Sequence, residues 1–227
     1  MPPSLEVRWH GQELHLLASR ALWWPSRRAL VVADLHLGKP AAYRALGVPA
    51  PEAVTEADLV RLQEAIRHVD AERLIILGDL IHAVSGRTDA TMDAVGRWRR
   101  AHQALEILVV RGNHDRRAGD PPAEWRCDCV DGPFAEGDLD LVHEPDSAAE
   151  RPALAGHIHP AVAGAAPVGP SRLRAPCFWF GPMVAVLPAF GVFTGARAVR
   201  PAPGDRVFAV GDGSIAEVAC AASLRRR

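Results

Sequence analysis

Three short, unbroken apolar runs in this chain each end in polar side chains. Arg28-Ala29-Leu30-Val31-Val32-Ala33 leads into Asp34-Leu35-His36, Arg73-Leu74-Ile75-Ile76-Leu77 into Gly78-Asp79, and Leu105-Glu106-Ile107-Leu108-Val109-Val110 into Arg111-Gly112-Asn113. Runs without alternation suit strands covered on both faces. Between them, residues 55–69 carry Leu59, Leu62, Ile66 and Val69 at helical spacing, with Thr55 as the expected cap. Residues 88–104 place Met92, Val95 and Trp98 in the same way. Strand, helix, strand, helix, strand is the layered α/β pattern.

The flanks read differently. Residues 5–9 and 13–17 around His10-Gly11-Gln12 predict an opening hairpin. After the third run, short strand candidates at 139–142, 154–155, 183–187, 207–210 and 215–218 are separated by Gly, Pro and Asp turns. Antiparallel pairing and little helix are expected there. Residues 164–176, rich in Ala, Pro and Gly, read as a loop, 201–205 as a turn and 224–227 as a frayed tail. With 227 residues, 48% of them apolar and 23% charged, a single catalytic domain over 1–227 is expected.

Charge excludes some partners. Lys and Arg number 26 against 27 Asp and Glu, so no large basic surface for wrapping DNA exists, although a local groove is allowed. Lys39 is the only lysine, and the arginine excess is read first as coding bias. Cys127, Cys129, Cys177 and Cys220 have no zinc spacing. With no secretory signal in view, reduced thiols in the cytoplasm are expected. The apolar stretch 177–193 is broken by Gly181, Pro182, Pro188 and Gly191 and is not a membrane span.

The chemistry lies in five ordered segments: Asp34-Leu35-His36, Gly78-Asp79, Gly112-Asn113-His114-Asp115, His143-Glu144 and Gly156-His157-Ile158-His159. Singly, each has an ordinary reading: a helix cap for Asp34 or Asp79, a surface position for His36, a turn for Asn113, a strand end for His143. Jointly, at the ends of apolar strands, they read as metal donors. Hard oxygens mixed with imidazole nitrogens suit Mn, Fe or Zn better than Mg or Ca. Two ions sharing a carboxylate can clamp both the attacking and the leaving oxygen of a phosphoryl displacement.

These segments resemble the calcineurin-like metallophosphoesterases, whose pattern is D-x-H, G-D, G-N-H-[D/E], H and G-H-x-H in that order. The resemblance spans positions 34–159. It implies an α/β fold, a four-layer αββα sandwich of two mixed β-sheets flanked by helices. It implies one divalent ion on Asp34, His36, Asp79 and His159 and a second on Asp79, Asn113, His143 and His157, expected to be Mn2+ with Fe or Zn as alternatives. It also implies attack by a metal-bridging hydroxide, with His114 protonating or orienting the leaving oxygen and Asp115 holding its imidazole. His82 and Arg111 are weaker candidates for substrate contacts, and Lys39, Arg44 and Arg87 are candidates for backbone contacts. Trp23, Trp24 and Trp179 could stack on bases, or simply fill core.

A narrower resemblance joins Ala33-Asp34-Leu35-His36-Leu37-Gly38-Lys39, Arg44-Ala45-Leu46-Gly47-Val48-Pro49 and Leu77-Gly78-Asp79-Leu80-Ile81-His82 to the bacterial ligase-associated DNA-damage-response endonucleases of the PdeM type. Val110-Arg111-Gly112-Asn113-His114-Asp115, Val142-His143-Glu144-Pro145 and Gly156-His157-Ile158-His159-Pro160 extend it. It implies a manganese-dependent DNA phosphodiesterase, with single strands among the substrates it could take, functionally linked to a DNA ligase, a helicase and an exonuclease. The alternative is a phosphodiesterase or phosphatase acting on a small nucleotide or metabolite. A scaffold without turnover is disfavoured by the intact donor set and His114.

Overall fold

The computed structural model describes residues 4–146, 150–165, 172–211 and 213–218. The first sheet contains β1 (Ser4–Trp9), β2 (Gln12–Leu17), β3 (Leu22–Trp24), β4 (Ala29–Val32), β5 (Arg73–Ile76), β6 (Glu106–Val110) and β7 (Asp128–Val130), hydrogen-bonded in that order. β1 to β4 pair antiparallel, and β4 to β7 pair parallel. Helices α1 (Lys39–Ala45), α2 (Val54–Val69), α3 (Asp89–Ala101) and α4 (Asp115–Ala118) lie between its strands in sequence.

The unbroken runs are explained by what covers them. Leu30, Val32, Leu74, Ile76, Ile107 and Val109 meet Leu59, Leu62 and Ile66 of α2 and Val95 and Trp98 of α3 in one core. Ala29, Val31, Ile75, Leu77, Leu108 and Val110 point the other way, into a second core shared with the second sheet. Fully burying a Leu or Ile contributes about 1.5–3 kcal/mol, so an apolar residue is favoured at every position of such a strand. Thr88 caps α3 by accepting from Thr91 N. Thr55 does not cap α2 as expected: it lies inside the helix, where α2 starts after Ala53 without a side-chain cap.

The second sheet is β14-β11-β12-β13-β10-β9-β8, with β15 paired to β12 and β16 to β15. Its strands are β8 (Phe134–Glu136), β9 (Leu139–Leu141), β10 (Ala153–Ala155), β11 (Pro160–Ala165), β12 (Arg172–Phe180), β13 (Val184–Val186), β14 (Arg197–Ala198), β15 (Arg206–Gly211) and β16 (Ser214–Val218). Both sheets are mixed and flanking helices are present, as the α/β expectation requires. The helices cover the outer face of the first sheet; among the described residues no α-helix follows Ala118, so these residues form three of the four layers.

Two expectations need correction. Pairing in the second sheet is not all antiparallel: β10 runs parallel to both β9 and β13. Within 164–176, residues 164–165 and 172–176 are strand rather than loop, because β11 and β12 pair antiparallel with Ala161 opposite Pro176. Only residues 166–171 between them, like the tail 224–227 and Cys220, lie outside the described residues.

Candidate metal centre

Five loops leave the C-terminal ends of β4, β5, β6, β9 and β10. The parallel β9–β10 pair is what brings His143 and His157 to one edge; an antiparallel pair would separate them. The loops are tightly wound. Asp34 (φ 55), His36 (φ 49), Asp79 (φ 54), His157 (φ 70) and His159 (φ 51) all occupy the left-handed region, half of the ten such non-glycine residues described. This conformation costs of order 1 kcal/mol or more per residue and persists where the surroundings enforce it. Here Asp34 N donates to Gly78 O and His36 N to Asp79 O, 3.1 and 2.8 Å. Two motif glycines permit the crowding. A Cβ on Gly78 would stand 2.2 Å from His143 Nδ1, and one on Gly112 2.2 Å from Asp79 Oδ1.

All seven expected donors converge, in two sets. In the first, His36 Nε2 lies 3.3 Å from His159 Nε2, and His159 Nε2 lies 3.5 Å from Asp34 Oδ1. In the second, His143 Nε2, His157 Nδ1 and Asn113 Oδ1 are mutually 3.1 Å apart. Asp79 stands between them, with Oδ2 3.6 Å from His36 Nε2 and Oδ1 3.4 Å from His143 Nε2. Ligand atoms bonded at about 2.0–2.2 Å to a common ion are separated by roughly 2.8–3.1 Å when adjacent in an octahedron and by roughly 3.3–3.6 Å in a tetrahedron. The observed spacings match.

The donor chemistry fits cations as well. His143 Nδ1–H donates to Leu77 O at 2.9 Å, which leaves Nε2 a bare lone pair facing the Asn113 oxygen. Two acceptors in contact repel unless a cation lies between them. Likewise His159 donates from Nδ1 to Gly195 O at 3.0 Å and turns Nε2 inward. These carbonyls orient the imidazoles, a role no sequence signal marked. Asp34, His36, Asp79 and His143 are between 0% and 4% exposed. Burial, then the charges of Lys39 and the neighbouring imidazoles, pushes the His36 pKa far down. Burial raises Asp79 against the pull of His143. For His159, burial acts downward but is overcome by the hydrogen bond and charge of Asp34, so its pKa rises.

His114 borders both sets. Its N–H donates to Asp79 Oδ1 (2.9 Å), its Nδ1 bonds His82 O (2.6 Å), and its Nε2 lies 3.9 Å from Asp79 Oδ2. The expected Asp115–imidazole bond is therefore replaced by a carbonyl contact. Asp115 instead accepts from Gly112 N (2.9 Å) and Ile81 N (3.1 Å), tying the second and third loops together. His82 stacks on His114 with centroids 4.6 Å apart and places Nδ1 3.2 Å from His36 Nδ1. Burial, then His114 and Lys39, lowers its pKa to about 4, so it is neutral at pH 7.

The basic candidates separate. Arg111 lines a groove of about 530 Å³ beside His143, but its guanidinium is held by Asp120 (2.7 Å) and Asp131 (3.4 Å). Arg87 donates to the carbonyls of Ala118, Gly119 and Asp120, and Arg44 to Ala50 O. Trp24 is buried in the second core, Trp23 packs against the first, and Trp179 donates to Asp205 at 2.8 Å.

Two donor sets sharing one carboxylate define a candidate dinuclear metal centre at the edge of two sheets. The family model for calcineurin-like phosphoesterases matches residues 27–161, more than half of the chain, and the chain belongs to that family. It is accordingly a metal-dependent phosphoesterase. Among solved structures it is similar to nuclease MPE of Pseudomonas putida, with 44% identity and TM-score 0.80 over 92% of this chain and 97% of that one. The phosphoesterase YfcE of E. coli aligns with 18% identity and TM-score 0.39 over 85% of this chain and 98% of that one, too distant to bear on function. A comparison with curated proteins found no match. Among the described residues no helix is long and apolar enough to cross a membrane.

Proposed function

We propose that this protein is a manganese-dependent phosphodiesterase that cuts DNA internally, serving cytoplasmic DNA repair beside a ligase, a helicase and an exonuclease. The observation that carries the reading is the placement of Asp79, whose two oxygens face two complete donor sets in a chain so similar to a nuclease. Asp34, His36, Asp79 and His159 hold one ion, and Asp79, Asn113, His143 and His157 the other. The mixed oxygen and imidazole donors favour Mn, with Fe or Zn as substitutes. When bound, the ions supply Lewis-acid activation of the diester and of water.

The chain's own residues do the rest. His114, fixed through Nδ1 on His82 O, keeps Nε2 to hold and deliver a proton to the leaving oxygen. His36 Nδ1–H donates to His82 Nδ1 once His36 Nε2 is a ligand, and this tautomer leaves His82 an Nε2–H for a phosphate oxygen. Asp115 acts on the loops that carry Asp79 and Asn113 rather than on the proton.

The near-neutral charge also suits a small nucleotide or metabolite diester. The experiment that separates the two is nicking of supercoiled and circular single-stranded DNA by metal-stripped protein reloaded with manganese, with bis-p-nitrophenyl phosphate alongside. Cleaved circles, intact with Asp79→Ala, are expected; untouched circles with hydrolysed small diester would move the assignment to metabolites. His114→Ala should slow hydrolysis by roughly 10²–10⁴-fold while both ions stay bound.

A further inference from the structure

A row of rings leads out of the metal centre on the His36 side. His114 stacks on His82, the Tyr43 centroid lies 6.1 Å from His82, and Phe193 meets Tyr43 edge-on at 5.6 Å. Tyr43 and Phe193 are half-buried, yet neither packs against either hydrophobic core. The Tyr43 hydroxyl makes no hydrogen bond among the described residues. The rings are nevertheless held. Val192 N donates to both oxygens of buried Asp58, which pairs with Arg61 at 3.0 Å, and on the other side of Phe193 the Gly195 carbonyl is bound by His159.

Lys39, the only lysine, stands at the same place, its Nζ 5.9 Å from the Tyr43 centroid. It is half-buried and forms no ion pair among the described residues. The opposite charges that act on it are those of Asp79 and Asp34, the proposed metal ligands. Once divalent ions neutralise those carboxylates, the Lys39 charge is no longer offset, and an anion beside it is favoured.

We propose that Lys39, Tyr43 and Phe193 form a nucleotide subsite flanking the metal centre: an unpaired base stacks on the face of one ring and packs against the edge of the other, and Lys39 takes a backbone phosphate of the same strand. The proposal rests on the nucleic-acid reading above and sharpens it towards single strands, because a ring platform needs a base face that a duplex keeps covered. The perpendicular rings offer a face and an edge to one base, and neither selects its identity.

The test is binding of a fluorescein-labelled single-stranded oligonucleotide to manganese-loaded His114→Ala protein, read by anisotropy across a salt series. Tyr43→Leu in that background should weaken binding about tenfold, the scale of one lost stacking contact, and Tyr43→Phe should restore it. An abasic residue, moved along the strand, should weaken binding at one position and should cost nothing further there in Tyr43→Leu. Lys39→Gln should lower the slope of log affinity against log salt by about 0.7, one single-strand phosphate. Equal losses on intact and abasic strands in both Tyr43→Leu and Phe193→Leu, or an unchanged slope in Lys39→Gln, would overturn the subsite. No oligonucleotide binding by the parent, with bis-p-nitrophenyl phosphate still hydrolysed by the wild type, would instead overturn the nucleic-acid reading and the subsite with it. Melting curves of the variants separate lost contacts from lost folding.

Discussion

The two donor sets draw on the same two sheets but differ in charge and cover. The first joins Asp34 and His36, both buried on the β4 loop, to His159 before β11. The second joins half-buried Asn113 after β6 to buried His143 and exposed His157. The first owns a carboxylate; the second has only neutral donors besides the oxygen it receives from Asp79. An ion in the second set is therefore held by less charge and meets more water, so it should exchange first. One centre, in this view, has a tight side and a labile side.

Asp79→Ala is the harshest test because it strips both sets at once. Hydrolysis should fall by more than the roughly 10²–10⁴-fold expected for His114→Ala, and the metal content of purified protein should drop well below that of wild type. Two retained ions with near-normal rates would refute the shared-carboxylate assignment. His143→Ala probes the asymmetry directly. Elemental analysis should show loss of one ion while the other survives, with activity partly regained at high manganese. Equal loss of both ions would mean that the two sets are not separable.

How far the centre was legible from sequence follows the same division. Every expected donor is local to a motif, and the unalternating runs identified the strands because both faces of β4, β5 and β6 are covered. Pairing in the second sheet was not legible. Whether β10 runs with or against β9 is fixed by long-range packing, and their short apolar strands carry no direction signal. The β11–β12 hairpin was hidden by its Ala, Gly and Pro content, since Pro160 and Pro176 sit where strand residues were not anticipated. The role of Asp115 was missed because backbone N–H partners leave no mark in sequence: Gly112 and Ile81 became its donors only through the fold.

That link supplies a smaller effect on both sets together. Asp115→Ala orphans two N–H groups in a site where Asp115 is 4% exposed, at about 1–3 kcal/mol for each group left buried without an acceptor. Chemical denaturation should show the loss, and a change within about 0.5 kcal/mol would mean the loops are held otherwise. Asp115→Asn keeps one acceptor and should fall between Asp115→Ala and wild type.

The smallest effect concerns the backing of the tight side. Burial, with His114 and Lys39, holds His82 at about 4, below its ordinary 6.5. Its folded pKa is depressed, so unfolding takes up a proton as pH falls through the unfolded value. The stability it contributes is full above about pH 6.5 and is lost progressively down to about pH 4. Because the ring is only half-buried, solvent screening keeps the effect modest. Metal-free wild type, melted in chelator, should lose stability over that window, and His82→Asn should lose less of it. His36, also pushed down, titrates in both proteins, so the difference between the two profiles isolates His82. Parallel profiles would mean that His82 carries its proton as easily in the fold as outside it. The tight side would then lack the neutral imidazole that the tautomer argument requires.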